Sequence, residues 1–270
     1  MKKLMLLASL LLASVVAQGD DANKRIAEIT DAKAKGLAVA KEMKARNTGW
    51  GDSEAKMTMI LRDKGGNETD RKVRVKSLEV EGDGDKGLSI FDEPRDVEGT
   101  AFLTYSHIEG NDDQWLYLPA LKRVKRISSS NKSGPWMGSE FAYEDMGSFE
   151  PEKYEFTYLR DEPCGENMTC FVVESDPVDK FSGYTRQINW IDTEHYRAIK
   201  TEFYDRKNTL LKTLELSEWK LYKDTFWRAH QLDMQNHQNG KSTTRITHSM
   251  EFDTGLSESD FSQASLKRAR

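Results

Sequence analysis

The residue types most able to bind a ligand lie together in residues 115–146. A group of cations there, called the basic run below, consists of Lys122, Arg123, Lys125 and Arg126. The Ser- and Gly-rich lid loop, residues 128–147, carries four large side chains that we call the lid residues: Trp136, Met137, Phe141 and Tyr143. Cationic side chains bind phosphate and carboxylate groups, and surface loops seldom carry such large side chains unless they contact something apolar. The segment therefore predicts binding of an apolar molecule with an anionic end.

Both halves of this segment also have a purely structural interpretation. Side chains alternate along a strand, so the basic run would place cations on both faces, as in a solvated edge strand whose lysines oppose aggregation. The alternative is that the run contacts a headgroup or an anionic partner. The lid residues either pack permanently on a sheet or move as a gate, and the sequence leaves both alternatives open.

No set of residues in the sequence resembles a catalytic centre. The S-x-x-K patterns at residues 129–132 and 217–220 lack the partner motifs of penicillin-recognising enzymes. No motif supplies a nucleophile together with a base and a group that orients the base. The two cysteines and five histidines are not spaced in the chain as the ligands of a metal site usually are. We therefore expect neither catalytic residues nor a metal or other cofactor.

The amino terminus has the pattern of a cleavable signal peptide. Lys2 and Lys3 precede an apolar run at residues 4–16, and Ala17 suits signal peptidase. The run is shorter than the ~20 residues of a membrane-spanning helix, and no Cys follows it to accept a lipid. We expect residues 1–17 to be removed and residues 18–270 to form one domain exported to the periplasm. The formal net charge of −5 argues against nucleic acid as a partner.

The two cysteines, Cys164 and Cys170, are predicted to form a disulfide. Disulfides form in oxidising compartments such as the periplasm. The five residues between the cysteines include Gly165 and Asn167, which suit a hairpin turn. The bond would therefore join two adjacent strands.

Hydrophobic periodicity predicts one helix followed by a long antiparallel sheet. Residues 21–46 repeat apolar side chains at helical spacing, whereas the rest of the chain alternates apolar and polar residues in short runs between turns. This pattern predicts a sheet with a single apolar face. Roughly eleven to thirteen strands must curl, and the helix and the lid loop could cover the apolar side. The enclosed cavity is predicted to bind apolar ligands, with these candidate lining residues: Met59, Phe102, Trp115, Tyr158, Trp190 and Leu214.

Five segments of the chain carry a family resemblance. They are QWLYLPALKRVKRISSSNKSG, MGSEFAYEDM, RDEPC, GYTRQINWID and YDRKNTLLKTL. The chain resembles, through these segments, the outer membrane lipoprotein-sorting protein family within the LolA-like superfamily of periplasmic lipoprotein carriers. The resemblance implies a mainly β fold with α elements (α+β), in which a large curled antiparallel sheet forms a half-open barrel. An amino-terminal amphipathic helix and the lid loop would cover this barrel.

The same resemblance implies a carrier that binds the acyl chains of lipoproteins or lipids and moves them towards the outer membrane. Its partners would be that lipoprotein or lipid ligand and, transiently, a membrane surface. The alternative is an accessory protein that docks on an inner-membrane transporter of the RND type and carries no ligand. A large apolar cavity would favour the carrier, and a filled barrel would favour the accessory protein.

Overall fold

Thirteen antiparallel strands form one sheet in the computed structural model, which describes residues 21–268. The predicted signal peptide therefore lies outside the described residues. The strands are β1 (Asp52–Arg62), β2 (Glu68–Leu78), β3 (Lys86–Glu93), β4 (Ala101–Tyr105), β5 (Asp113–Leu118), β6 (Arg123–Ile127), β7 (Tyr154–Gly165), β8 (Met168–Pro177), β9 (Tyr184–Asp192), β10 (Ala198–Asp205), β11 (Leu210–Tyr222), β12 (Phe226–Asn236) and β13 (Ser242–Phe252). The α-helices are α1 (Ala32–Ala45) and α2 (Gln263–Arg268), and residues 21–27 are also helical. None of the helices in the described part of the chain combines the length and the hydrophobicity needed to span a membrane.

The order of strands across the sheet is β6-β5-β4-β3-β2-β1-β13-β12-β11-β10-β9-β8-β7. Strands that follow one another in each half of the chain are neighbours, and β1 pairs with β13 in the middle of the sheet. The sheet is not closed into a barrel, because β6 and β7 form two separate edges. The predicted fold, a curled antiparallel sheet covered by a helix and a loop, is confirmed.

Residues 128–153 connect the two edge strands and cross one face of the sheet. We call this the inner face; it carries Met59 and Phe102. The crossing segment contains short 3₁₀ turns at Ser129–Asn131, Trp136–Gly138, Tyr143–Met146 and Pro151–Lys153. Trp136 and Phe141 are buried in one cluster with Met59 and Phe102. The lid loop therefore fills the inner face over strands β1 to β5.

Helix α1 covers the inner face at the other side of the sheet. Val39 and Ala40 are buried against Phe156 of β7. Gly36 permits this close packing, because a Cβ atom there would lie only 2.8 Å from the backbone nitrogen of Tyr158. A larger residue at position 36 would push the helix away from the sheet.

The amino-terminal helix is interrupted, whereas the sequence predicts one helix over residues 21–46. Residues 29–31 are not helical. Asp31 caps α1, because its carboxylate accepts a hydrogen bond of 2.8 Å from the amide of Ala34. A short polar side chain that bonds the backbone in this way starts a new helix.

The prediction of a single apolar face is wrong, because the outer face is also buried in two places. Leu103 packs there beneath Phe261 and Leu266 of the carboxyl-terminal segment, which includes α2. Trp190 and Val172 form a second outer cluster near the disulfide. Antiparallel strands that are covered on both faces lose the simple alternation of apolar and polar residues.

The predicted disulfide is confirmed. Cys164 and Cys170 are bonded to each other. The bond links β7 to β8, and Cys170 is fully buried in the outer cluster. It therefore fixes the hairpin at the edge of the sheet.

Candidate ligand cavity

A cavity of about 900 Å³ lies on the inner face, between the lid loop, α1 and strands β7 to β13. Its buried wall is mainly apolar and includes Ala40, Phe141, Phe156, Val173, Ile191, Phe203 and Met234. Glu109 and Asn111 are exposed lining residues, so the cavity opens to solvent beside them. Its volume lies within the range of cavities that bind small molecules.

A second cavity of about 850 Å³ adjoins the first. The two share Met43, Phe149, Ala198 and Leu232 as lining residues. The wall of the second cavity combines cations with indole rings, and the guanidinium of Arg197 lies over two of them, 4.8 Å and 5.3 Å from the ring centroids. The pair of cavities extends the apolar space along α1.

Several polar side chains of the first cavity bond one another. Asn189 donates a hydrogen bond of 2.8 Å to the hydroxyl of Ser175 and accepts one of 2.9 Å from Thr201. Burial raises the pKa of the Glu144 carboxyl. That carboxylate accepts hydrogen bonds from Ser182 at 2.7 Å and from the amide of Gly183 at 2.8 Å. These groups therefore have partners without a ligand.

A buried ion pair fixes the lid loop to the sheet. The ammonium of Lys212 on β11 lies 2.7 Å from the carboxylate of Asp145, and the two side chains are 3% and 9% exposed. Lys212 also donates to the carbonyl of Glu140 at 2.8 Å, and the Tyr184 hydroxyl donates to Asp145 at 2.9 Å. Burial and the charge of Asp145 raise the pKa of Tyr184 well above its ordinary value, so the phenol stays protonated and keeps donating.

Of the six side chains predicted to line a cavity, Leu214 does so. Met59 and Phe102 are on the inner face but lie beneath the lid loop, in the filled part. Tyr158 lies beneath α1, where its ring centroid is 4.0 Å from the ammonium of Lys35. These three residues do not line either of the two cavities, so the prediction that they are lining residues is wrong.

The remaining two candidates lie on the outer face. Trp115 packs near Leu103 and the carboxyl-terminal segment, and Trp190 packs beside Val172. The prediction that these two residues line the cavity is therefore wrong. Each alternates with polar neighbours along its strand, but the apolar side chains there face the outer clusters. Side-chain period alone does not identify which face of a strand lies inward.

The lid residues pack on the sheet. Trp136 and Phe141 are 0% and 2% exposed, and Met137 and Tyr143 are partly buried. The ring of Trp136 lies 5.5 Å from that of Phe91, and Phe141 lines the first cavity. This arrangement matches the packing alternative, while movement of the loop stays a prediction.

All four members of the basic run are exposed. The run forms the edge strand β6 and the turn before it. Arg126 is paired with Asp113 of the neighbouring strand. The edge position agrees with the structural alternative, and the exposed cations are also accessible to a partner.

Arg245 lines the first cavity and was not predicted from the sequence. It lies on β13, where the register with β1 shifts: Lys56 pairs with Ser249, but Met57 pairs with Thr247. One extra residue in a strand changes which side chains share a face. The apolar residues Ile246, Met250 and Phe252 keep a period of two along this strand, so the sequence contains no signal of the shift.

The chain was compared with family models, with curated proteins and with solved structures. A family model described as an uncharacterized protein matches residues 83–268. An outer membrane lipoprotein-sorting protein domain from Vibrio parahaemolyticus is 61% identical; the alignment covers 87% of this chain and 100% of that one, with a TM-score of 0.86. A DUF1329 family protein from Desulfovibrio piger is 29% identical over 88% of this chain and 100% of its own, with a TM-score of 0.82. No match was found among curated proteins.

The curled sheet with its covered inner face is a LolA-like fold. A LolA superfamily protein from Nitrosomonas europaea shares it, with 17% identity over 85% of this chain and 98% of that chain and a TM-score of 0.68. Within this class, the chain belongs to the outer membrane lipoprotein-sorting protein family, as the resemblance of its segments predicted.

Proposed function

We propose that the protein is a periplasmic carrier that binds the acyl chains of lipoproteins or lipids and moves them towards the outer membrane. The observation that supports this most directly is the cavity of about 900 Å³ beneath the lid loop and α1, whose buried wall is mainly apolar. The similarity to a lipoprotein-sorting domain supports the same class of ligand. Catalytic residues have no part in the proposal.

The energy of acyl burial is sufficient for such a carrier. Each buried methylene contributes ~0.8 kcal/mol, so a chain of about a dozen methylenes contributes on the order of 10 kcal/mol before other terms are subtracted. Burial in the membrane contributes a similar free energy, so transfer of the chain into the cavity is close to neutral, and its withdrawal from the membrane needs assistance. The proposal therefore includes transient contact with a membrane surface or a donor partner. The exposed basic run is the surface that we assign to this contact.

A fluorescent fatty-acid displacement assay with matched variants of β11 tests the proposal. Leu214 lines the cavity and Leu221, on the same strand, is 46% exposed. A carboxylate at position 214 would place a charge on the apolar wall, where an acyl chain cannot replace the water that solvates it. We therefore expect Leu214→Glu to abolish binding and Leu221→Glu to leave it unchanged, after circular dichroism has established that both variants fold.

The outcome also separates the carrier from the accessory protein. If the wild-type protein binds no acyl probe, the carrier proposal fails, and an accessory protein that acts by docking becomes the better interpretation. If wild type binds but Leu214→Glu binds equally well, the chain is held elsewhere than in this cavity.

A further inference from the structure

Arg245 is a cation in an apolar part of the first cavity. Its register partners on the two neighbouring strands are Met59 and Leu232. The guanidinium lies 5.3 Å from the ring centroid of Phe141, and its Nη2 atom lies 3.5 Å from the sulfur of Met57. All these neighbours are apolar, so they supply no charge to balance the arginine.

The guanidinium also has unused hydrogen-bonding capacity. Its Nε atom is buried and has no hydrogen-bond partner among residues 21–268. Within the same residues, no carboxylate is close enough to Arg245 to influence its pKa. Burial lowers its pKa to about 10, so it remains charged at neutral pH. Arginine presents five donors in a fixed plane, and the thioether of Met57 is a weak acceptor.

Two acidic lining residues of the same cavity, Glu109 and Glu152, are exposed to solvent, and the other four have partners of their own. Asp145 pairs with Lys212, and Glu144 accepts from Ser182 and Gly183. Nearer the rim, two further ion pairs engage acidic lining residues: Asp112 with Lys153 and Asp179 with Lys132. These four acids are therefore engaged by an ion pair or by hydrogen bonds, whereas the charge of Arg245 has no such partner.

A charge of this kind is unfavourable unless something balances it. Resting on the proposed carrier function, we propose that Arg245 binds the anionic group of an amphiphilic ligand, a carboxylate or a phosphate, while the apolar tail of that ligand lies against Phe203 and Met234. Carboxylate and phosphate oxygens match the planar donors of a guanidinium. The cavity then holds both ends of the ligand instead of only its tail.

The test compares ligands that share a tail and differ in their polar end. We would measure displacement of a fluorescent fatty acid by hexadecanoate, hexadecyl phosphate and hexadecanol, on wild type, Arg245→Met and Arg245→Lys. Hydrogen bonds to a charged group predict that wild type prefers the anionic ligands to the alcohol roughly tenfold to a hundredfold. Arg245→Met should remove the preference, and Arg245→Lys should retain part of it. The order of hexadecanoate and hexadecyl phosphate tells which anion is favoured.

The wild-type preference alone can overturn the inference, so the test does not depend on the folding of a variant. Equal binding of the alcohol and the anions by wild type would refute the role of Arg245 and leave the carrier proposal standing. If wild type binds none of the three ligands and no fluorescent fatty acid, the carrier proposal itself is refuted. Arg245→Met should also melt at a temperature no lower than wild type, because it removes an unbalanced charge; strong destabilisation would show that Arg245 is a structural residue.

Discussion

The ion pair between Lys212 and Asp145 should determine how firmly the lid loop is held on the sheet. Replacing Asp145 by Asn keeps the shape of the side chain and removes its charge. The ammonium of Lys212 would then remain buried with only neutral acceptors, among them the carbonyl of Glu140 at 2.8 Å. The Tyr184 hydroxyl would lose a charged acceptor at the same time.

The expected loss of stability is large because both side chains are nearly inaccessible, 3% and 9% exposed. Breaking a buried pair by removing one partner costs about 3–5 kcal/mol. For a domain of this size, each kcal/mol lowers the melting temperature by about 2–4 °C, so the predicted decrease is roughly 6–20 °C. Urea unfolding followed by circular dichroism measures the free energy, and a thermal scan measures the shift.

The exposed pair of Lys33 and Glu155 provides the matched control. Its side chains are 74% and 70% exposed, so Glu155→Gln should change the free energy of unfolding by less than about 1 kcal/mol. The double variant Asp145→Asn/Lys212→Met should recover much of the lost stability, because no unpaired charge remains. If the free energy of unfolding of Asp145→Asn is within about 1 kcal/mol of the wild-type value, the ion pair does not hold the lid loop on the sheet.

Three further predictions concern pH, the disulfide and the basic run. Burial raises the pKa of Asp85 from 3.8 to about 6, so the folded protein binds this proton more tightly than the unfolded chain does. The free energy of unfolding should therefore fall by up to about 3 kcal/mol as the pH rises between these two values. Urea titrations of Asp85→Asn across this pH range should show a smaller loss. Reduction of Cys164–Cys170 should lower stability by about 2 kcal/mol, from the entropy of a small loop, and thiol counting on the denatured, unreduced protein should find no free thiol. Replacing the basic run by Gln should spare folding and weaken binding to anionic vesicles in a salt-sensitive way; unchanged binding at every salt concentration would make the run only an edge that opposes aggregation.

The sequence was sufficient to predict the main elements of the fold, because the period of two persists through most strands. It was insufficient to predict which face is inner. The outer face carries Leu103 and Trp190 in buried clusters, since the carboxyl-terminal segment covers one of these regions. That cover consists of a short helix and a loop, and neither has a strong periodic pattern. At the break before α1, the carboxylate of Asp31 accepts a hydrogen bond from the amide of Ala34, a feature that periodicity does not reveal.

The cavity was harder to predict than the fold because its lining depends on how distant strands and the lid loop meet. Leu214 lines the cavity, whereas Phe102 has the same sequence pattern but lies beneath Trp136. The shift in register between β1 and β13 brings Arg245 to the inner face. The ion pair of Lys212 with Asp145 joins residues that are 67 positions apart, so no local motif indicates it.

The most direct test of the carrier proposal is mass spectrometry of the lipid that accompanies the protein purified from the periplasm. The measurement would be made on wild type and on Leu214→Glu, with Leu221→Glu as the surface control. We predict that wild type and Leu221→Glu carry an acyl lipid in near-stoichiometric amount and that Leu214→Glu carries none. If the folded wild-type protein carries no lipid, the result contradicts the proposal that this protein carries acyl chains.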